Sequence, residues 1–202
     1  MSQFLARIFI ISIYIAPVLG WGQAVLVEEP GRPITRQVLK RADDSLGFRN
    51  MRKVGVGLAA GGAHGLVGID LELNFSPETS LRAGFGIADN YQSFGLAIKR
   101  VVGGKWFAPY VAGGFTRWYT VVDGGPTTHT TTSFLAERFL SETEKRTGQF
   151  AETLIYPALG IQYLQLNGNW AGSSLYAEIL MLLDIDDFNS AATGALGFLY
   201  YF

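Results

Sequence analysis

Five charged residues lie on segments in which apolar side chains alternate with small or polar ones: Asp70, Glu72, Arg82, Lys99 and Glu178. Alternation with a period of two is typical of a β-strand, so these charges should share the strand face opposite to the apolar one. A lone charge on an inward face would be costly, and we expect the acidic residues to pair with Arg82 and Lys99. The pattern therefore predicts a charge network inside a β-structure.

Two histidines are the other candidates for chemistry, since imidazole can act as a general base near neutral pH. His64 follows two glycines and an alanine, and His129 lies among threonines. Ser93 and Asp89 would complete a nucleophile, base and acid arrangement with His64 if the three lay close together. Neither histidine has a carboxylate at metal-ligand spacing. We interpret both as surface residues and expect no catalytic, cofactor-binding or metal-binding residue.

The composition limits the class of protein. The net charge is −1 and the pI is about 6.1, so the basic stripe that nucleic-acid binding requires is absent. The chain has no cysteine, and we expect neither disulfides nor a lipoprotein anchor. Charged residues make up 16% of the chain, below the roughly 25% of an ordinary soluble domain. The 25 glycines and 13% aromatic residues suit thin-walled β-structure with one apolar surface.

Residues 1–24 are interpreted as a signal peptide. Arg7 supplies positive charge, and the apolar segment from Ile8 to Leu19 follows it. Gly22-Gln23-Ala24 offers a cleavage site of small residues, with Val18-Leu19-Gly20 as an alternative. The apolar segment is shorter than the ~20 residues of a membrane-spanning helix. A signal anchor remains the competing interpretation.

Residues 25–52 form a polar leader or short helix. The segment from Thr35 to Leu46 has helix character, with Thr35 as N-cap and Gly47 just past the predicted end. A solvated leader is the simpler interpretation of these residues. The alternative is a plug or lid on the structure that follows.

From residue 53 onward, eight alternating runs are separated by turn residues. The runs are residues 54–63, 65–75, 80–88, 91–102, 105–122, 150–166, 170–185 and 191–202. The connections after the second, fourth and sixth runs, at residues 76–79, 103–104 and 167–169, are short and should lie at the same end of the structure. The connection between the fifth and sixth runs should lie at the other end and is long. Short turns on one side and longer loops on the other are the rule for membrane β-barrels. Aromatic residues such as Trp106, Tyr110, Trp118, Tyr156 and Trp170 fall near the ends of runs, as expected for residues at membrane interfaces.

The long connection, residues 123–149, contains a second segment with helix character. Ser133 is a candidate N-cap, Phe139 and Leu140 lie on an apolar side, and Gly148 is a stop signal. The segment is either a short amphipathic helix above the barrel mouth or an extended hairpin. In both cases we expect an exposed apolar surface that could contact an unknown partner or lipopolysaccharide.

The last run ends on Phe202, with Leu196, Phe198 and Tyr200 at alternate positions before it. This pattern resembles the C-terminal assembly signal of bacterial outer-membrane proteins. The segment APYVAGG at residues 108–114 resembles a "PYVGAG" strand of small OmpA-, OmpX- and OmpW-like barrels. The resemblance covers roughly residues 54–202 as a pattern.

This resemblance implies an all-β fold: an eight-stranded antiparallel up-and-down transmembrane β-barrel over residues 53–202, in the cell outer membrane of a Gram-negative bacterium. It implies contact with outer-membrane lipid and lipopolysaccharide and insertion by the outer-membrane assembly machinery. It does not imply a function, because the fold hosts structural, adhesive, channel and enzymatic members. We predict a structural, surface-interaction or minor channel role without enzyme activity, cofactor or nucleic-acid partner.

Two alternatives remain open. One is a lipid A-modifying outer-membrane enzyme that uses a histidine near the outer rim, although no deacylase-like His-x-Ser-Asn motif is present. The other is a soluble, secreted, lipocalin-like binding barrel. The orientation of the strands separates the two kinds of barrel: a soluble barrel turns Val67, Ile69 and Leu71 inward and Asp70 and Glu72 outward.

Overall fold

The computed structural model of the chain describes residues 42–88, 91–120 and 134–202. The predicted signal peptide, most of the leader, Asp89 and His129 lie outside these residues. Among the described residues, no helix has both the length and the apolar character needed to cross a bilayer.

Eight antiparallel strands form a closed barrel in which each strand pairs with its neighbours in the chain and β8 pairs with β1. This confirms the eight-stranded up-and-down barrel that the resemblance to small outer-membrane barrels implied. The strands are β1 (Val54–Gly61), β2 (Val67–Asn74), β3 (Thr79–Ile87), β4 (Gln92–Val101), β5 (Phe107–Tyr119), β6 (Ala151–Leu164), β7 (Ser173–Asp184) and β8 (Ser190–Tyr201). Each corresponds to one predicted run. The closing register runs from Gly55 opposite Tyr201 to Gly61 opposite Ala195.

The connections sort to two ends of the barrel. Residues 75–78, 102–106 and 165–172 connect strands at one end, here called the turn end, where the last strand also finishes. Residues 62–66, 88–91, 120–150 and 185–189 connect strands at the other, here called the loop end. The predicted long connection therefore belongs to the loop end, and the turns predicted to be short belong to the turn end.

The outer face of the barrel is apolar, and its interior holds charged side chains among buried apolar and aromatic ones. Val67, Ile69 and Leu71 on β2 are 39–59% exposed, whereas Asp70 and Glu72, at alternate positions of the same strand, are fully buried. Because successive residues of a strand point to opposite faces, this orientation holds along the whole strand. It is opposite to the orientation expected of a soluble lipocalin-like barrel. Leu196, Phe198 and Tyr200 on β8 also point outward.

The aromatic residues near strand ends divide between the two faces. Trp106 and Trp170 are exposed at the turn end, but Tyr110, Trp118 and Tyr156 are buried inside the barrel. The prediction that all of these residues lie at an interface is therefore wrong for the last three. A narrow eight-stranded barrel needs large side chains to fill its interior, and position along the alternating strand decides which ring points inward.

A short helix, α1 (Ser45–Met51), precedes the first strand. The Asp44 side chain caps it by accepting a hydrogen bond from the Gly47 amide at 2.7 Å. Gly47 therefore lies inside this helix, and the prediction that Gly47 follows a helix end is wrong. Most of the predicted segment from Thr35 to Leu46 lies outside the described residues.

The long connection at the loop end contains two short helices, α2 (Phe134–Phe139) and α3 (Glu142–Thr147). The helical interpretation of this segment is thus correct, and the hairpin is wrong. Ser141 and Glu144 form a reciprocal capping box at the start of α3. Partial burial raises the pKa of Glu144, but hydrogen bonds from Ser141 outweigh it and lower the pKa below its ordinary value. Gly148, in the left-handed conformation, ends α3 as predicted. The predicted N-cap, Ser133, lies outside the described residues.

Candidate functional site inside the barrel

The interior near the turn end is organised around one buried carboxylate. Glu72 Oε2 lies 2.9 Å from Lys99 Nζ, and Glu72 Oε1 lies 2.9 Å from Arg49 Nη1. The Ser80 hydroxyl donates to Glu72 Oε1 at 2.8 Å, and Lys99 Nζ donates a further hydrogen bond to Gln162 Oε1 at 2.8 Å. Two cations share one carboxylate. Lys99 Nζ also has Gln162 as a partner, whereas Arg49 Nη2 is buried without a hydrogen-bond partner among the described residues.

A second ion pair crosses the middle of the lumen. Arg82 donates two hydrogen bonds to the Glu178 carboxylate, at 3.0 and 2.8 Å. The Tyr110 hydroxyl donates to Glu178 Oε2 at 2.8 Å, and the Arg82 guanidinium lies 5.4 Å from the centre of the Tyr176 ring. A bidentate pair with additional donors is the arrangement in which a buried salt bridge best offsets its desolvation cost.

Asp70 belongs to a third cluster, which includes His64 and lies toward the loop end. Its Oδ1 lies 2.9 Å from His64 Nε2, and its Oδ2 accepts a hydrogen bond from the Tyr176 hydroxyl at 2.5 Å. The structure therefore places all five predicted residues in the lumen, and it joins Glu72 to Lys99 and Glu178 to Arg82. Asp70, however, has His64 rather than Arg82 or Lys99 as its direct partner.

The α1 helix closes the turn end of the lumen and delivers Arg49 to it. The Ser45 hydroxyl donates to Gly104 O at 2.6 Å, and Arg49 Nε donates to Pro77 O at 3.0 Å. The Arg52 guanidinium donates to the carbonyl of Tyr201. The helix is thus tied to two turns and to the last strand. Phe48 and Arg49 are buried, so α1 packs into the turn end of the barrel.

At the loop end, a 3₁₀ turn (Gly62–His64) folds into the barrel instead of over it. The carbonyl oxygen of Ala63 accepts hydrogen bonds from Trp118 Nε1 at 2.9 Å and from Thr116 Oγ1 at 3.0 Å. The Ser93 hydroxyl donates to the carbonyl of His64 at 3.0 Å. His64 is 4% exposed, so the prediction of a surface histidine is wrong.

Two glycines on β3 make room for this turn. A Cβ atom on Gly84 would lie 2.0 Å from His64 Cε1, and a Cβ atom on Gly86 would lie 2.0 Å from the carbonyl oxygen of His64. Any larger residue at either position would collide with the turn. The inward path of the loop therefore depends on residues about 20 positions away in the sequence.

Aromatic side chains cover the turn from above. The Trp118 ring stacks on Tyr91 with centroids 4.8 Å apart and meets the edge of Phe139 at 5.9 Å. Phe139 and Leu140, from the segment around α2, are both buried. The predicted exposed apolar surface on this connection is therefore wrong for these two residues, because they pack into the mouth of the barrel.

The histidine does not form a nucleophile and base pair with Ser93. The Ser93 hydroxyl is engaged by the backbone carbonyl of His64, while the imidazole Nε2 faces Asp70. Asp89 and His129 lie outside the described residues. Within the part of the chain that is described, the proposed serine, histidine and acid arrangement is not assembled.

Sequence reasoning missed several residues of the interior network, among them Arg49, Tyr110, Gln162 and Tyr176. Alternation could have identified the last three, because each lies two positions along its strand from another buried residue and therefore shares the inward face. Arg49 precedes the first strand and carries no periodic signal. Its place depends on contacts with turns that are distant in the sequence.

No protein-family model and no curated protein matches this chain. Among solved structures, the chain is similar to the N-terminal β-barrel domain of Pseudomonas aeruginosa OprF, which aligns with a TM-score of 0.47 and 14% sequence identity over 74% of this chain and 99% of that one. The closed eight-stranded fold described above follows from the strand pairing of this chain itself.

Proposed function

We propose that this protein is an exported, integral outer-membrane barrel with a structural or surface-interaction role and a lumen closed to ions. The observation that carries the proposal is the inverted polarity of the barrel, with aliphatic side chains outside and paired charges inside. In water such an outer surface would promote association, because apolar patches larger than a few hundred Å² are rare on soluble monomers. In lipid the same surface is the favourable one, and a closed barrel satisfies every backbone group.

The dimensions of the barrel support this proposal. The strands contain 8 to 14 residues, which brackets the roughly 9–11 residues of a tilted membrane strand. Trp106, Trp170, Tyr200 and Phe202 are exposed near the turn end. Aromatic rings at that level suit the boundary between hydrocarbon and head groups. The turn end would then face the periplasm and the loop end would face outward.

The filled lumen supports a closed barrel over a channel. An eight-stranded barrel has an interior only just wide enough for side chains. Here α1 occupies one end, three ionic clusters occupy the middle, and the 3₁₀ turn with Trp118 occupies the other end. Ion passage would require several buried charge pairs to separate.

The partners remain proposals. Lipid and lipopolysaccharide would contact the apolar outer wall and the loop rim. The assembly machinery would recognise the outward-facing residues of the last strand, Leu196, Phe198, Tyr200 and Phe202. The connection 123–149 would contact an unknown partner at the loop end. Residues 123–133 of this connection lie outside the described ranges.

Membrane fractionation combined with heat-modifiable gel mobility tests the location and the fold together. We expect the mature chain in the outer-membrane fraction, resistant to urea washing, with an unheated band that migrates differently from the boiled one. Recovery of the mature chain in the soluble periplasm would contradict the proposal and favour the soluble alternative. Planar-bilayer recording tests closure, and sustained unitary currents would overturn it. An altered lipid A profile in a deletion strain would favour the enzymatic alternative.

A further inference from the structure

Three carboxylates meet at the loop end of the barrel, outside the network already described. Glu152 is at the start of β6, Asp184 ends β7, and Asp186 lies in the connection that follows. One oxygen from each carboxylate lies within 4.8 Å of the other two. The three carboxylates converge although their negative charges repel one another, and either a proton or a bound cation offsets that repulsion.

The buried member of this acidic cluster has an unsatisfied oxygen. Asp184 is 2% exposed, and its Oδ2 atom is buried without a hydrogen-bond partner among the described residues. Its other oxygen accepts the Asp186 amide at 2.9 Å. A buried carboxylate oxygen without a donor carries a large desolvation cost. Asp184 Oδ2 is therefore a buried acceptor that no donor among the described residues satisfies.

The rest of the barrel provides the contrast. Asp70, Glu72 and Glu178 each lie within 3 Å of a histidine, lysine or arginine nitrogen. No basic side chain in the described ranges forms an ion pair with Glu152, Asp184 or Asp186. The recorded side-chain partner of Glu152 is instead another acid, Glu144 of α3.

We propose that Glu152, Asp184 and Asp186 bind a divalent cation of the calcium type. Ca²⁺ takes carboxylate oxygens at roughly 2.3–2.6 Å, so oxygens on opposite sides of one ion lie about 5 Å apart. The three oxygens already fit within that span. Asp186 is exposed, so water can complete the coordination. Mg²⁺ fits less well, because it demands shorter distances and near-ideal octahedral geometry.

The backbone holds these ligands in place. Asp184 pairs with Leu154 across β6 and β7, two residues from Glu152. The Asp184 amide donates to Asn189 O at 2.9 Å, and the Ile185 amide donates to Thr153 O at 3.3 Å. A bound ion would connect β6 to the β7–β8 connection. The affinity should resemble that of extracellular calcium modules, with a Kd of about 10⁻⁴–10⁻³ M.

Calorimetric titration of the purified full chain in detergent with CaCl₂ tests the proposal. We expect one site per chain. A free Ca²⁺ concentration of about ten times the Kd should raise the unfolding temperature by about 3–5 °C relative to the EGTA-treated protein. MgCl₂ at the same concentration should give a smaller shift. Asp184→Asn should weaken Ca²⁺ binding at least tenfold, whereas Asp187→Asn, an equal charge change in the same connection, should leave it unchanged.

Two readouts separate loss of the site from misfolding. Asp184→Asn should be at least as stable as the parent chain in EGTA, because the substitution removes a buried, unpaired charge. The proposal is overturned if the parent chain shows neither a heat of binding nor a rise in unfolding temperature at Ca²⁺ concentrations up to about 10-fold above the expected Kd range. It is also overturned if Asp187→Asn weakens binding as much as Asp184→Asn. These measurements do not depend on cellular location, so their failure would leave the outer-membrane proposal intact.

Discussion

At the turn end, the barrel is closed by an arginine that reaches in from α1, whereas at the loop end it is closed by the backbone of a 3₁₀ turn. Arg49 enters as a charge and meets Glu72, which also holds Lys99. The backbone carbonyl oxygens of Ala63 and His64 accept hydrogen bonds from neutral donors, the Trp118 indole and the Ser93 hydroxyl respectively. The same narrow lumen is therefore filled by two kinds of chemistry.

The difference determines how each end should respond to substitution. Removing one member of a buried ionic cluster leaves its partners charged and unpaired, which is costly. Removing one donor to a carbonyl that retains another donor costs much less, because a typical net hydrogen bond contributes about 1 kcal/mol. The loop end should instead be sensitive to added volume, because the glycines beside its turn leave no spare room.

Substitution of Glu72 should have the largest effect. Glu72→Gln leaves Arg49 and Lys99 buried without a carboxylate, and we expect the free energy of unfolding to fall by about 3–5 kcal/mol. Denaturant unfolding of the folded barrel in detergent measures this loss. Adding Lys99→Met to Glu72→Gln should recover part of it.

The exposed pair between Glu78 and Arg100, 3.5 Å apart, offers a matched control. Glu78→Gln should change the free energy of unfolding by no more than about 1 kcal/mol, because exposed ion pairs contribute little. Equal losses for Glu72→Gln and Glu78→Gln would show that the turn end does not depend on its buried charges.

An added methyl group at Gly86 should disturb the loop end next most strongly. Its Cβ would lie 2.0 Å from the His64 carbonyl oxygen, and we expect a loss of about 1–3 kcal/mol from overpacking. The 3₁₀ turn should also become more accessible to protease. Gly113→Ala is the control, because the nearest atom to its Cβ is 3.8 Å away. If both variants behave alike, the inward turn does not depend on β3 glycines.

Removal of the indole N–H should have the smallest effect. Trp118→Phe deletes the donor to Ala63 O but keeps a ring beside Tyr91, and Thr116 still donates to the same oxygen at 3.0 Å. We expect a loss of about 0.5–1.5 kcal/mol in the free energy of unfolding, measured by the same denaturant titration. Tyr119→Phe, which loses only a 3.5 Å contact with Gln92, should stay within about 0.5 kcal/mol of the parent. A loss for Trp118→Phe as large as that for Glu72→Gln would remove the distinction between the two ends.

The wall of the barrel could be predicted because every strand repeats a local pattern. Alternation on β2 assigns Ile69 outward and Asp70 inward, and the structure has both orientations. The interior site was less predictable. Arg82 meets Glu178, 96 positions along the chain, and this pairing depends on how the strands are staggered around the barrel. No local pattern in the sequence predicts how far each strand is shifted relative to its neighbours.

The plugs were the least predictable elements. His64 sits in a glycine-rich segment that resembles an exposed turn, and Arg49 sits in a charged leader. Their inward positions follow from space and hydrogen-bonding groups supplied by distant strands and turns.

The sequence by itself therefore determined the number of strands, their direction and the polarity of each face, because these follow from a period of two and from turn residues. The tertiary structure alone decided which charges pair, which ends are plugged and where three carboxylates converge. Those features arise from contacts between residues far apart in the chain, and only closure of the barrel brings such residues together.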